Sequence, residues 1–245
     1  MHFNSLHIFM SWRYLARLII LICGLFLAAT GIVCTYRSDL GLGPWDVLHQ
    51  GISYHTPLSF GTANIVVGVI IVLLSLLLKV YPGVGTLLNM GLIGMFVDWQ
   101  LRLNWLSDLS GLPLLLRLLM DVIGVLLMGL GTALYIAPSM GTGPRDGLML
   151  RLHALTKVRI SIVRATLECS VLIIGFLLGG AVGIGTLIFA FGIGPAVEIS
   201  FSLIKKLRFI DSLQSHPAFP TTAAGTPNHH HPHGHDKSGS YLISQ

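Results

Sequence analysis

Six apolar runs punctuate the chain, at residues 18–36, 62–78, 83–99, 118–137, 160–178 and 182–203. Each approaches the roughly 20 residues that a helix needs to cross a bilayer. Short mixed segments separate the first run from the second and the fourth from the fifth. The pattern predicts six membrane helices, three in each half. Arg13 and Arg17 precede a first run containing Ala28, Ala29, Thr30 and Gly31, the layout of a cleavable leader. Its counterpart after Arg117 lies mid-chain and cannot be one. A permanent first helix is therefore expected, with Trp12 and Tyr14 at the membrane interface.

The polar breaks show that the chain contains itself twice, 100 residues apart. Arg17, Leu18, Gly24, Leu27, Gly31, Gly41, Gly43, Pro44, Asp46 and Leu48 recur as Arg117, Leu118, Gly124, Leu127, Gly131, Gly141, Gly143, Pro144, Asp146 and Leu148. After that stretch the register is expected to slip by about two residues and to return where GVGTL at 83–87 becomes GIGTL at 183–187. Most of the matched residues are ones that shape a backbone. Duplicated apolar units of this size are a common transporter architecture.

Composition agrees with a membrane class: 53% hydrophobic and 10% charged residues with a mean hydropathy of +0.78 leave too little polar surface for a soluble globule. Cys23, Cys34 and Cys169 all fall in apolar runs and offer no disulfide framework. The net charge of +5 is informative by position. With the N-terminus inside, twelve of the fifteen basic residues are internal and only Arg37, Arg102 and Arg117 are external. That split predicts both termini inside. Three crossings per copy then invert the second copy relative to the first. Nucleic acid is not needed to explain the basic residues, and no cofactor is implied.

The chemistry concentrates after the first helix of each copy, where the chain reads GLGPWD at 41–46 and GTGPRD at 141–146. Proline at the first helical position and an acid in the first turn begin a helix. From Pro44 that helix carries Trp45, Leu48 and Ile52 on one face and Asp46, Gln50 and Ser53 on another, over about 11 residues or about 16 Å. Such a helix either lies at the surface, its aspartate capping its own first turn, or dips in and returns. In the second case Gly41, Gly43, Asp46, Gly141, Gly143, Arg145 and Asp146 bound a polar substrate site near the midplane.

In the fifth run Arg164 and Glu168 stand four apart and can pair on one helix face, either as an ion pair that holds helices together near the inner interface or as substrate-binding candidates with a gating or proton-coupling role. With the expected slip, Asn64 aligns with Thr166 and Val66 with Glu168. Asp121 and Glu198 read as residues that snorkel to an interface. GVGT and GIGT open the third and sixth runs, in which Gly91, Gly94, Gly192 and Gly194 suit close helix packing or a broken, pore-lining helix. Asn89 is the polar member of the third run and a further substrate-binding candidate.

After Phe209 the composition turns to Ser, Thr, Pro, Gly and His, and His229, His230, His231, His233 and His235 crowd one stretch. Such a tract in a disordered tail binds divalent metal through imidazole with little geometric demand. The segments are thus 1–16 as a cytoplasmic N-terminus, 17–104 and 105–208 as the two repeats, and 209–245 as a cytoplasmic His-rich tail.

GLGPWDVLHQGIS, GVGTLLN and GTGPRDGLM resemble the bacterial YczE/YitT group of integral membrane proteins, over about residues 13–205. The resemblance implies a multi-pass protein of the bacterial inner membrane whose motif positions are Gly41, Gly43, Pro44, Asp46, Gly141, Gly143, Pro144, Arg145, Asp146, Arg164 and Glu168. The expected fold is an all-α polytopic membrane protein of six transmembrane helices, in two inverted three-helix repeats, each with a short amphipathic or re-entrant helix after its first span. No catalytic triad, phosphate loop or HExxH motif appears, which disfavours an enzyme or a primary pump. The expected function is secondary transport or channel-like passage of a small solute or ion, with the lipid bilayer as partner and homo-oligomers open. Two alternatives remain: a scaffold acting through the basic loop from Arg145 to Arg164 and the tail, and divalent-metal handling by the tail.

Overall fold

The computed structural model describes residues 12–206, apart from Thr142. They belong to the first of two units, Met1–Ser215. The tail histidines His229, His230, His231, His233 and His235, on which the metal expectation rests, lie outside the described residues.

Among the described residues there are eight helices and no strand: α1 (Trp12–Ser38), α2 (Pro44–His55), α3 (Phe60–Leu77), α4 (Val84–Leu103), α5 (Leu114–Ile136), α6 (Pro144–Thr156), α7 (Ile160–Leu177) and α8 (Ile184–Lys206). Five of them, α1, α3, α5, α7 and α8, contain stretches long and apolar enough to cross a membrane. The third expected span, α4, has the length, but Asn89, Asp98, Gln100 and Arg102 dilute its apolar character.

Local geometry repeats at an offset of 100. Helices start at 44 and 144, 60 and 160, and 84 and 184. Left-handed residues recur at Asp39 and Ser139, Gly41 and Gly141, and Lys79 and Gly179. The caps Leu78 and Leu178 share φ near −85° and ψ of 10°. The expected two-residue slip is therefore absent, and Asn64 corresponds to Arg164 and Gly68 to Glu168. The sequence identity simply thins out there while the backbone keeps register.

The most extensive helix pair is α1 with α5. Gly24 lies against Gly131 and Gly31 against Gly124. Equivalent glycines thus exchange partners, which makes the two helices antiparallel across a local two-fold. A Cβ at Gly31 would lie 2.5 Å from the Gly124 carbonyl oxygen, and one at Gly24 2.8 Å from that of Gly131. Small residues are what allow this approach. The other contacts follow the same two-fold: between the halves α2 packs on α7 as α6 packs on α3, and within each half α1 packs on α4 as α5 packs on α8.

One pairing breaks the pattern. Helices α3 and α4 pack closely, with Gly61 against Gly94, whereas α7 and α8 barely meet and Gly194 faces open space. Asp98 of α4 seals the first seam. It accepts hydrogen bonds from the Ser59 hydroxyl, from the Gly61 amide at 2.8 Å and from Thr62 Oγ1 at 3.4 Å. At the equivalent places the second half has Glu198, Arg159 and Ser161. Both α4 and α8 are continuous helices, so their glycines do not break them.

Gly31→Val is expected to lower stability by more than about 2 kcal/mol, because backbone rather than a movable side chain occupies the space. Gly91→Ala, with nothing within 4 Å, should leave it unchanged or slightly raised. Thermal unfolding of the detergent-purified proteins measures both.

Candidate functional site

Each GxGP turn leaves peptide groups that membrane-embedded backbone must pair internally. The pairing is again between halves: the Gly185 amide donates to the Leu40 carbonyl at 2.8 Å, and the Gly85 amide to the Met140 carbonyl at 2.9 Å. Gly41 has a φ of +110° and Gly141 of +136°, backbone that favours glycine. These bonds fix where α2 and α6 begin.

The two short helices begin face to face. Arg145 lies over the Trp45 indole, 4.7 Å from the ring centroid, so the residues at the second variable position of the two GxGPxD motifs stack on each other. Helix α2 is not a surface helix: Asp46, His49 and Gln50 are buried along with Val47. Its apolar Trp45, Leu48 and Ile52 pack on Val67, Ile71 and Leu148. Gln50, on the expected wet face, accepts from the Ala181 amide at 2.7 Å. The amphipathic pattern reflects contact with two kinds of protein surface.

A cavity of about 790 Å³ lies around these helix starts. Gly43, Asp46, Asn89, Gly143, Arg145, Asp146, Arg164 and Glu168 line it. Gly41 and Gly141 do not. Gly41 packs on Gly183 and Thr186, and Gly141 on Gly83 and Thr86. The lining falls in equivalent pairs, among them 43 and 143, 46 and 146, 64 and 164, 68 and 168, 89 and 189, and 93 and 193. Along the sparsely packed α7 and α8 it continues through Leu167, Ile193, Val197 and Phe201.

Its chemistry is less symmetric than its frame. Four carboxylates, Asp46, Asp146, Glu168 and Glu198, face three cations, Arg145, Arg164 and Lys205. Arg145 interacts with both aspartates. Arg164 Nε donates to Glu168 Oε1 at 2.8 Å, the local pair expected from the spacing. The Tyr135 hydroxyl joins the Asp146 carboxylate beside Gly143. Asp46, only 3% exposed, has an Oδ1 without a hydrogen-bond partner among the described residues. Asp46 Oδ1 is therefore not held by its own helix start.

His49, Asn64, Trp45 and Tyr135 are parts of the site that the sequence pattern does not single out. The His49 ring is fully buried, with Nδ1 3.3 Å from Asn64 Nδ2 and 3.4 Å from Asp46 Oδ1. A histidine beside a loop and a tyrosine near a helix end read as interface residues, and only the cross-repeat packing brings them inward. Asp121 corrects the snorkelling expectation: it is fully buried in α5 and accepts from Ser38 Oγ at 3.0 Å. Glu198 lines the cavity. The basic loop shrinks as well, since Arg145 and Arg164 face the cavity. Among the described residues no group of His, Cys, Asp and Glu could hold a metal ion.

The family model described as "Family of unknown function (DUF6198)" matches residues 15–201, and the chain belongs to that family. An uncharacterized protein of Haemophilus influenzae is 38% identical over 191 residues, 78% of this chain and 86% of that protein. The uncharacterized membrane protein YczE of Bacillus subtilis is 34% identical over 191 residues, covering 77% of this chain and 86% of YczE. YyaS of the same organism, also uncharacterized, is 30% identical over 167 residues, 67% and 82% of the two chains. No solved structure matches the chain. The resemblance carried by the GxGPxD motifs is thus shown, and with the five apolar helices it makes this a membrane protein.

Asp46→Asn should leave the protein folded, with an unfolding midpoint at or above the parent's, because it removes a buried charge whose Oδ1 is unpaired. Arg145→Ala should lower the midpoint, since it leaves two carboxylates without their shared cation. Thermal unfolding in detergent distinguishes the two.

Proposed function

We propose that this DUF6198 protein is a secondary transporter of the bacterial inner membrane, moving a small solute or ion through the cavity between its two halves. The observation that carries the reading is the cavity itself: equivalent residues of both copies frame it, and both short helices begin at it. Antiparallel first helices and the basic residues support six crossings, α4 included, in two inverted repeats with both termini inside. A cavity at the interface of such repeats is where transporters of this design hold their substrates.

The two seams supply the moving parts. The α3–α4 seam, clasped by Asp98, is the closed one, and the α7–α8 seam is the open one. In a duplicated fold the alternative state exchanges them: Glu198 reaches the start of α7, Gly194 approaches Ser161, and the Asp98 clasp opens. Solute then enters through one seam and leaves through the other. The protein needs no cofactor and performs no covalent chemistry in this reading.

Thermal stabilisation by a panel of ions and metabolites should identify a bound solute. Flux of that solute in proteoliposomes should be abolished by Asp46→Asn and by Asp146→Asn, with folded protein retained. In a background lacking Cys23, Cys34 and Cys169, the pair Ser161→Cys and Gly194→Cys should cross-link on oxidation and stop flux. A full set of solutes that neither bind nor cross the membrane would remove the transport reading, and a pair that never cross-links would remove the seam exchange.

A further inference from the structure

The cavity lining carries one more carboxylate than cations, four against three, and a net charge inside a membrane protein is costly. Two of the three cations are already engaged, Arg164 with Glu168 and Arg145 over Trp45. The unmatched charge is localised by packing. Asp46 Oδ1, on a residue 3% exposed, lacks a hydrogen bond and belongs to the cavity wall. Something cationic completes it.

Two completions are built in. The first is a proton. With the Asn64 amide 3.3 Å away donating to His49 Nδ1, the ring's own hydrogen sits on Nε2, which has no hydrogen-bond partner among the described residues. A second proton on Nδ1 is donated to Asp46 Oδ1, 3.4 Å away, and Asn64 is released. The groups facing His49 are Asp46 on α2, Asn64 and Phe60 on α3 and Arg145 on α6, while α7 meets α2 through Gly175 and Leu178. Asp46 is thus the sole acid on the imidazole among those groups.

The second completion is a solute. Beside Asp46 stands the Asn64 amide, while the Trp45 indole face is already taken by Arg145. One carboxylate and one amide oxygen are too few ligands for a metal cation and suit an alkylammonium or guanidinium group, which is large, weakly hydrated and content with few oxygen ligands. The cavity of about 790 Å³ has room for one of metabolite size.

We propose that the cavity binds a small organic cation at Asp46 in exchange for a proton shared between Asp46 and His49. This rests on the transport reading above and names its substrate class and its coupling ion. The exchange is balanced in charge: the Nδ1–H bond of His49 breaks, the proton leaves to water, and the incoming cation takes its place opposite Asp46. Cation and proton are mutually exclusive, so moving one outward drives the other inward. Only the first half is built for this, because the second has Met149 and Arg164 where the first has His49 and Asn64.

The test uses the full chain in detergent, in weak buffer with a pH-indicator dye. The probes are methylammonium, tetramethylammonium and guanidinium chlorides, with sodium chloride at matched ionic strength as control. At least one organic cation should raise the unfolding midpoint and release up to about one proton per chain. Its apparent affinity should fall as the pH is lowered, by up to about tenfold per pH unit where the bound proton is the competitor. His49→Met, the residue of the other repeat, should keep the stabilisation but lose the release and flatten the pH dependence; His49→Gln serves if it fails to fold. Asp46→Asn should lose both. Stabilisation without proton release overturns the exchange, as does equal stabilisation by sodium, an unchanged pH profile in both His49 variants, or no response to any organic cation. Those results leave transport itself standing, because a neutral or anionic solute can still be carried, whereas transport fails only when no solute crosses.

Discussion

Two interruptions of helical backbone, after Ser38 and after Ile136, have to be hydrogen-bonded in a setting where water is scarce. Each is satisfied by the start of the last helix of the other copy, Leu40 by Gly185 and Met140 by Gly85. Neither copy can therefore close its own turn. This one requirement places α2 beside α7 and α6 beside α3, and sets both helix starts at the centre. The antiparallel glycine contacts of α1 and α5 hold the two copies at the distance those bonds need. A cavity between the halves is the consequence.

On that symmetric backbone the side chains have diverged. Trp45 faces Arg145, His49 stands where the other copy has Met149, Asn64 where it has Arg164, and Gly68 where it has Glu168. The first half supplies a buried carboxylate beside an imidazole and an amide. The second supplies the cations and the ion pair at the open seam. Duplication preserved what the backbone demands, and the residues free of that demand acquired distinct tasks.

Legibility in the sequence follows the same division. The GxGPxD turns, Gly24 and Gly31 with their copies, and the Arg164–Glu168 pair could be read because local geometry or spacing specifies them. The continuity of register between Leu48 and Gly83 could not, since helix interiors in a bilayer accept many apolar residues and identity decays while structure does not. Nor could the inward placement of His49, Tyr135 and Asp121, because a polar residue near a helix end looks the same whether lipid headgroups or a second helix lies beyond it. The short helices read as amphipathic for a related reason: a pattern of polar and apolar positions does not say whether the polar ones meet water or protein.

The unequal seams follow from capping. Ser59 caps α3, its side chain accepting from the Thr62 amide, and Asp98 adds a carboxylate at the same helix start, where the dipole favours negative charge. At the start of α7 stands Arg159, with no side-chain cap and with a charge of the wrong sign for that end of a helix. The α7 start is thus under-satisfied in the open arrangement, and Glu198 occupies the position from which Asp98 acts in the other half. In the exchanged state proposed above, a carboxylate one methylene longer would meet an arginine there, a closing contact made of charge where the first seam's is made of neutral donors. Under the seam exchange proposed above, two seams of different chemistry, rather than two copies of one, are what would let a single charge in the cavity favour the closing of one over the other.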